Sequence, residues 1–182
     1  MYPGMKQDSV FATEDIIAIL GRQITNQEHK GDFEQMLEFV VEQALLAQRK
    51  YTNSYRGFRV GCAVYAHNGG KIRSNSRVRV FTAGNLKPAK HIVKLCAERR
   101  AVLKAQAEGY PHIIGMVIAG LPQADVDSLL VTPTLHPCKA CRNFFASTLG
   151  IHSTMQIVTI TPQKDRWERM TLGELMRFHK TH

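Results

Sequence analysis

Between Ile113 and Ala119 the chain runs IIGMVIA, without a single polar side chain. A surface helix or a half-exposed strand interrupts its apolar residues with polar ones at a fixed period, whereas a strand buried on both faces does not. Covering both faces of a strand takes a layer of helices on each side, so this run commits the chain to a layered α/β domain. The remaining pattern agrees with it. Met155 to Thr161 is a second apolar strand, and Phe58 to Ala66 reads as a third. Asn68-Gly69-Gly70 supplies hairpin turn residues, and Lys71 to Ala83 is the return strand, with Arg77 and Arg79 making one of its faces basic. The turn can extend through Ser74-Asn75-Ser76, giving a long connection.

Helical patterns stand between and around these strands. From Asp32 to Arg49, Phe33, Met36, Leu37, Val40, Val41, Ala44 and Leu45 recur at three- and four-residue intervals and mark one apolar face. Leu95 to Glu108 is a helix stopped by Gly109, and Cys138 to Leu149 one ended by Gly150. Gly120 to Leu135 is a loop, and Leu172 to Phe178 a short C-terminal helix onto which Trp167 and Met170 lead, packing that segment against the body. Residues 1–31 read as an N-terminal extension holding one short helix, Thr13 to Leu20, and residues 32–182 as the main domain.

Composition narrows the class. Hydrophobic residues make up 44% and charged residues 21%, which excludes a disordered chain or a disulfide-dense miniprotein. The longest apolar stretch ends at Leu121, far short of the roughly 20 residues that a membrane helix needs. The N-terminus shows no basic stretch followed by an apolar one, so the chain reads as cytosolic, with no membrane partner. Lys and Arg number 24 against 15 Asp and Glu, a net charge of +9. The basic residues are scattered, which fits a solvated surface better than a nucleic-acid groove.

In such a setting cysteines point to metal or catalysis rather than to disulfides. Cys62 alternates with Val60 and Val64 and reads as a small core residue. The other three differ. Cys96-Ala97-Glu98 and Pro137-Cys138-Lys139-Ala140-Cys141 each open a helix. Cysteines three apart on a first turn share a face, and a helix N-terminus favours thiolate over thiol. Taken singly, a CxxC can be a redox pair or half of a structural site, and a Glu in a first turn is ordinary capping. Taken together, three thiolates leave one tetrahedral position open, the layout of a catalytic zinc holding a water of lowered pKa. Glu98 beside it would move protons, and these are the parts that hydrolytic deamination requires.

These motifs resemble those of the cytidine deaminase family, in its nucleoside-type, three-cysteine branch, over about Asp32 to Phe178. Cys96-Ala97-Glu98-Arg99 is similar to that family's CAER motif, and Pro137-Cys138 to Cys141-Arg142 to its PCxxCR motif. Tyr51 to Gly61 resembles its lead-in to the first strand, and Thr171 to Leu175 its C-terminal motif. The resemblance implies a three-layer α/β/α deaminase fold with a mixed central sheet of about five strands. It implies zinc (Zn2+) on Cys96, Cys138 and Cys141, Glu98 as proton shuttle, Phe58 packed on the base, the Ala97 backbone on the pyrimidine, and a homotetramer. Three thiolates on Zn2+ leave a net charge of about −1, and Arg99 is placed to withdraw that charge by bonding them.

One segment departs from the family. There an Asn and, two residues later, a Glu read the ribose; here Asn85 is followed by Leu86 and Lys87. A lysine has three donors and no acceptor, so the charge is inverted where substrate is selected. His91, Ile92, Val93 and Lys94 depart too. Lys87 suits an anionic or modified cytosine compound, or faces solvent. His136, directly before the PCxxC, is a candidate to line the site, and the other histidines read as structural or exposed. The leading function is hydrolytic deamination of a small cytosine nucleoside or relative; the alternatives are a nucleic-acid editing deaminase and a non-catalytic zinc module.

Overall fold

The run at 113–119 is the middle of the sheet. The computed structural model describes residues 11–12, 27–54, 57–69, 77–91, 93–122 and 132–181. Its elements are β1 (Phe11–Ala12), α1 (Gln27–Lys50), β2 (Asn53–Ser54), β3 (Val60–His67), β4 (Arg77–Gly84), β5 (Leu86–Lys87), α2 (Ala97–Ala107), β6 (His112–Gly120), α3 (Lys139–Ser147), β7 (Ile151–Ile160), β8 (Trp167–Thr171) and α4 (Leu172–Thr181). The main sheet has the order β1-β4-β3-β6-β7-β8, five full strands and a two-residue edge strand. The β6–β7 pair is parallel and the others antiparallel, so the sheet is mixed as expected. A small parallel pair, β2 with β5, sets Ser54 opposite Lys87.

Two cores lie on opposite faces, because successive side chains of each strand alternate. Met116 and Ile118 of β6 join Cys62 and Val64 of β3 under α2, α3 and α4, represented by Val102, Phe145 and Leu175. Val117 and Ala119 join Ala63 and Tyr65 under α1, through Met36, Val40 and Ala44. Cys62 is fully buried, the core residue its pattern indicated. Helix α1 lies unusually close to the sheet: a Cβ on Gly61 would fall on the Ala44 carbonyl and the Gln48 backbone.

The differences from the expected pattern have local causes. Helix α1 starts at Gln27 rather than near Asp32, because polar Gln27–Lys30 and Gly31 carry no apolar periodicity to signal it. Strand β7 starts at Ile151 rather than Met155, since its first residues are largely exposed and polar. Leu95, expected in the helix, instead pairs with Leu86, and α2 begins after Cys96. Strand β8 was not expected as a strand: it is an edge with little burial, and Trp167, expected to pack on the body, is 61% exposed, while Met170 does pack against the core. The expected helix at 13–20, the turn at 74–76 with the first part of the return strand, and the middle of the 120–135 loop lie outside the described residues.

Candidate active site and metal centre

Helices α2 and α3 begin in the same way. Cys96 is the N-cap of α2 (φ −71°, ψ 145°) and Cys138 the N-cap of α3 (φ −64°, ψ 161°), both extended and neither spending its side chain on a capping bond. Cys141 follows one turn into α3. The Cys96 and Cys138 sulfurs are 3.7 Å apart, those of Cys138 and Cys141 3.5 Å, and all three lie within 4.8 Å of one another. Two thiolates on a tetrahedral zinc, at about 2.3 Å each, sit roughly 3.8 Å apart, so the donor set fits that ion. Among the described residues this is the one group of three or more His, Cys, Asp or Glu side chains that could hold a metal.

The charges say the same. Hydrogen bonding with Cys141 and Cys96 holds the Cys138 thiol far below its ordinary value; bonding with Cys138 pushes Cys96 up to about 11, and bonding with Cys138 and Cys96 pushes Cys141 far up. Thiolates this close disfavour one another, and a bound cation would offset that repulsion.

Glu98, the second residue of α2, is 5% exposed. Burial raises its carboxyl above the usual range, as does the Cys138 charge, while its own backbone N–H, Lys94 and a hydrogen bond with Cys141 oppose the rise. A carboxyl whose hold on a proton is raised in this way is suited to giving one as well as taking one. Burial lowers Arg99, but a hydrogen bond to Cys96 and the charges of all three cysteines outweigh it and raise the guanidinium. Its Nε is buried without a partner. Arg142 ties the start of α3 by donating to the Pro137 carbonyl at 2.7 Å, and Arg100 donates to the Gly84 carbonyl.

Phe58 is half-buried, packed on the core beneath α2. Asn85, 1% exposed, holds it: its Nδ2 donates to the Phe58 carbonyl at 2.8 Å and its Oδ1 accepts from the Val60 N–H at 2.7 Å. Ala97 is fully buried in the first turn of α2, and Lys87 is half-buried on β5. His136 faces the C-terminal elements, bonded to Glu168 at 3.1 Å and His179 at 3.3 Å and edge-on to Phe178. Its partners lie 32 and 43 residues away in sequence, which no local pattern signals. Lys94 is the residue that sequence reasoning undervalued: its ammonium lies 5.1 Å from the centre of the Phe58 ring. Its position two residues before Cys96 was the available signal.

Comparison with known proteins agrees with this geometry. Residues 34–157 match the model of the cytidine and deoxycytidylate deaminase zinc-binding region. The chain is 28% identical over 136 residues to a probable cytidine deaminase of Dictyostelium discoideum, covering 74% of this chain and 78% of that one. It is similar to the crystal structure of cytidine deaminase from Burkholderia pseudomallei, with a TM-score of 0.56 and 25% identity over 76% of this chain and 94% of that one. The Mycobacterium leprae cytidine deaminase shares the fold, with a TM-score of 0.50 and 23% identity over 77% of this chain and 96% of that one. The sulfur cluster, the buried carboxyl beside it and the match across most of the domain place the chain in the cytidine and deoxycytidylate deaminase family of zinc-dependent hydrolytic deaminases.

Proposed function

We propose that this protein hydrolytically deaminates the cytosine ring of a small nucleoside or a close relative of one, which would place it in pyrimidine salvage in the cytoplasm. The observation that carries the reading is buried Glu98 in the first turn of α2, two residues after Cys96 and next in sequence to a group of three sulfurs at metal-binding spacing. Cys96, Cys138 and Cys141 would hold zinc, which when bound supplies the Lewis acidity that makes water a nucleophile at neutral pH. Glu98 takes a proton from the attacking water and delivers it to the ring nitrogen as oxygen adds to the amine-bearing carbon. It then takes the second proton to the leaving amine, so that cytosine and water become uracil and ammonia.

Phe58 would pack against the base and the Ala97 backbone contact it. Asn85 places Phe58; a sugar-reading role for Asn85 would have to use the second lone pair or the second N–H of its amide. The catalytic domain of this reading is 32–182, with 1–31 as an extension. The homotetramer that the resemblance implies belongs to the same reading.

The test is ammonia release by zinc-loaded protein from cytidine, deoxycytidine and cytidine monophosphate, beside Glu98→Gln. We expect turnover on at least one, lowered by about 10²–10⁴-fold in the variant with its zinc content unchanged. Absence of turnover on all three, or an active variant, would overturn the assignment.

A further inference from the structure

The chain carries eleven Lys and Arg between Glu42 and Glu98, and no Asp or Glu at all. This stretch leads in sequence up to Cys96-Ala97-Glu98. Its last part, 86–95, is a loop closed at its base by two backbone hydrogen bonds between Leu86 and Leu95, each 2.9 Å. The loop presents Lys87, Lys90 and Lys94. None of the ion pairs among the described residues involves any of the three. Lys94 is half-buried, and its ammonium lies over Phe58, the ring on which the pyrimidine is proposed to pack.

A lysine resting on an exposed aromatic ring is commonplace, and its contribution is small. This one differs in what surrounds it. A neutral nucleoside has no use for a half-buried cation beside its base, and stacking there means displacing that cation. An anionic substrate does need it, because the centre already holds a buried carboxyl and three sulfurs that repel a second negative charge. Lysine serves phosphate as a point charge, and the neighbouring lysines raise the local concentration of a dianion more than of a monoanion.

Resting on the deaminase reading above, we propose that Lys94 is a specificity-determining residue that engages a phosphate on the cytosine compound, so that a nucleoside monophosphate is preferred to the free nucleoside. Lys87 and Lys90 assist by field rather than by contact.

The binding test uses the products, which do not turn over. Calorimetric titration of zinc-loaded protein with uridine and with uridine 5′-monophosphate should show the phosphate ester binding tighter by about 10–100-fold, a gap that narrows as salt rises. Lys94→Met keeps the stem on Phe58 and removes the charge; it should erase the gap by weakening only the monophosphate, and Lys94→Arg should restore most of it. Equal binding of the two products, or a gap that survives Lys94→Met, would overturn the proposal. Turnover of cytidine and its 5′-monophosphate separates the two claims. Efficient cytidine deamination without phosphate preference sinks the role of Lys94 and leaves the deaminase reading standing. No deamination of either sinks the deaminase reading, and the titration still reports on Lys94.

Discussion

At the scale of single residues, the site sets charges against one another at short range. Arg99 is the clearest case, since burial alone would lower its guanidinium and the sulfurs beside it reverse the sign. If it draws negative charge from the thiolates, Arg99→Ala should reduce turnover per bound zinc by about 10–100-fold. Arg99→Lys should recover only part, because an ammonium keeps the charge without the planar fork. Activity normalised to metal content is the measurement. Unchanged activity per zinc, with less zinc bound, would make Arg99 a structural support only. The three clustered cysteines were legible in sequence because they sit at helix starts, where Cys96-Ala97-Glu98 and Pro137-Cys138 mark the first turns of α2 and α3. Lys94 and His136 were not, because what they touch is set by Phe58 in one case and by Glu168 and His179 in the other, all far away in the chain.

At the scale of elements, helices and strands were readable wherever one face is buried. Strand β6 announced itself by its unbroken apolar run from Ile113 to Ala119, and α1 by its stripe from Met36 to Leu45. Strand β8 and the first residues of β7 were hidden for the converse reason: they lie at the exposed margin, where hydrogen bonding to a neighbour makes the strand and no burial leaves a mark. Helix α4 opens with a reciprocal cap, Glu174 accepting from the Thr171 N–H at 2.7 Å and Thr171 Oγ1 accepting from the Glu174 N–H at 3.2 Å. The tightest junction between elements is Gly61 against α1. Gly61→Ala must push Ala44 and Gln48 away from β3, and should destabilise the fold by about 1–3 kcal/mol, the range for overpacking. Chemical denaturation reads this directly; a midpoint equal to that of the parent would show that α1 rides loosely on the sheet.

At the scale of the whole molecule, one end of the sheet carries a stacked pair of histidines. His67 of β3 and His112 of β6 stack with ring centroids 4.6 Å apart and planes 14° from parallel. Burial, and then the facing His112, hold His67 below the usual histidine value, and its Nδ1 accepts from the Gly69 N–H at 3.1 Å. The unfolded chain therefore takes up the proton first. The stabilising contribution is complete above about pH 6.5 and is lost as pH falls from there through the lower folded value. Thermal melts between about pH 8 and about pH 5 should show a decline that His67→Asn flattens; an unchanged slope in the variant would place the sensitivity elsewhere.

The spacing of the three cysteines has a consequence for how the chain comes apart. Cys96 and Cys138 are 42 residues apart, and that interval contains α2 and the whole of β6, the strand at the middle of the sheet. An ion gripped by both would act as a removable cross-link, tying a knot around the strand on which both cores depend. By the entropy of closing such a loop, it would withhold from the unfolded ensemble about 4 kcal/mol of freedom. The centre that performs the chemistry would then also be the clasp of the fold, and losing its ion would loosen the middle of the molecule rather than its margin.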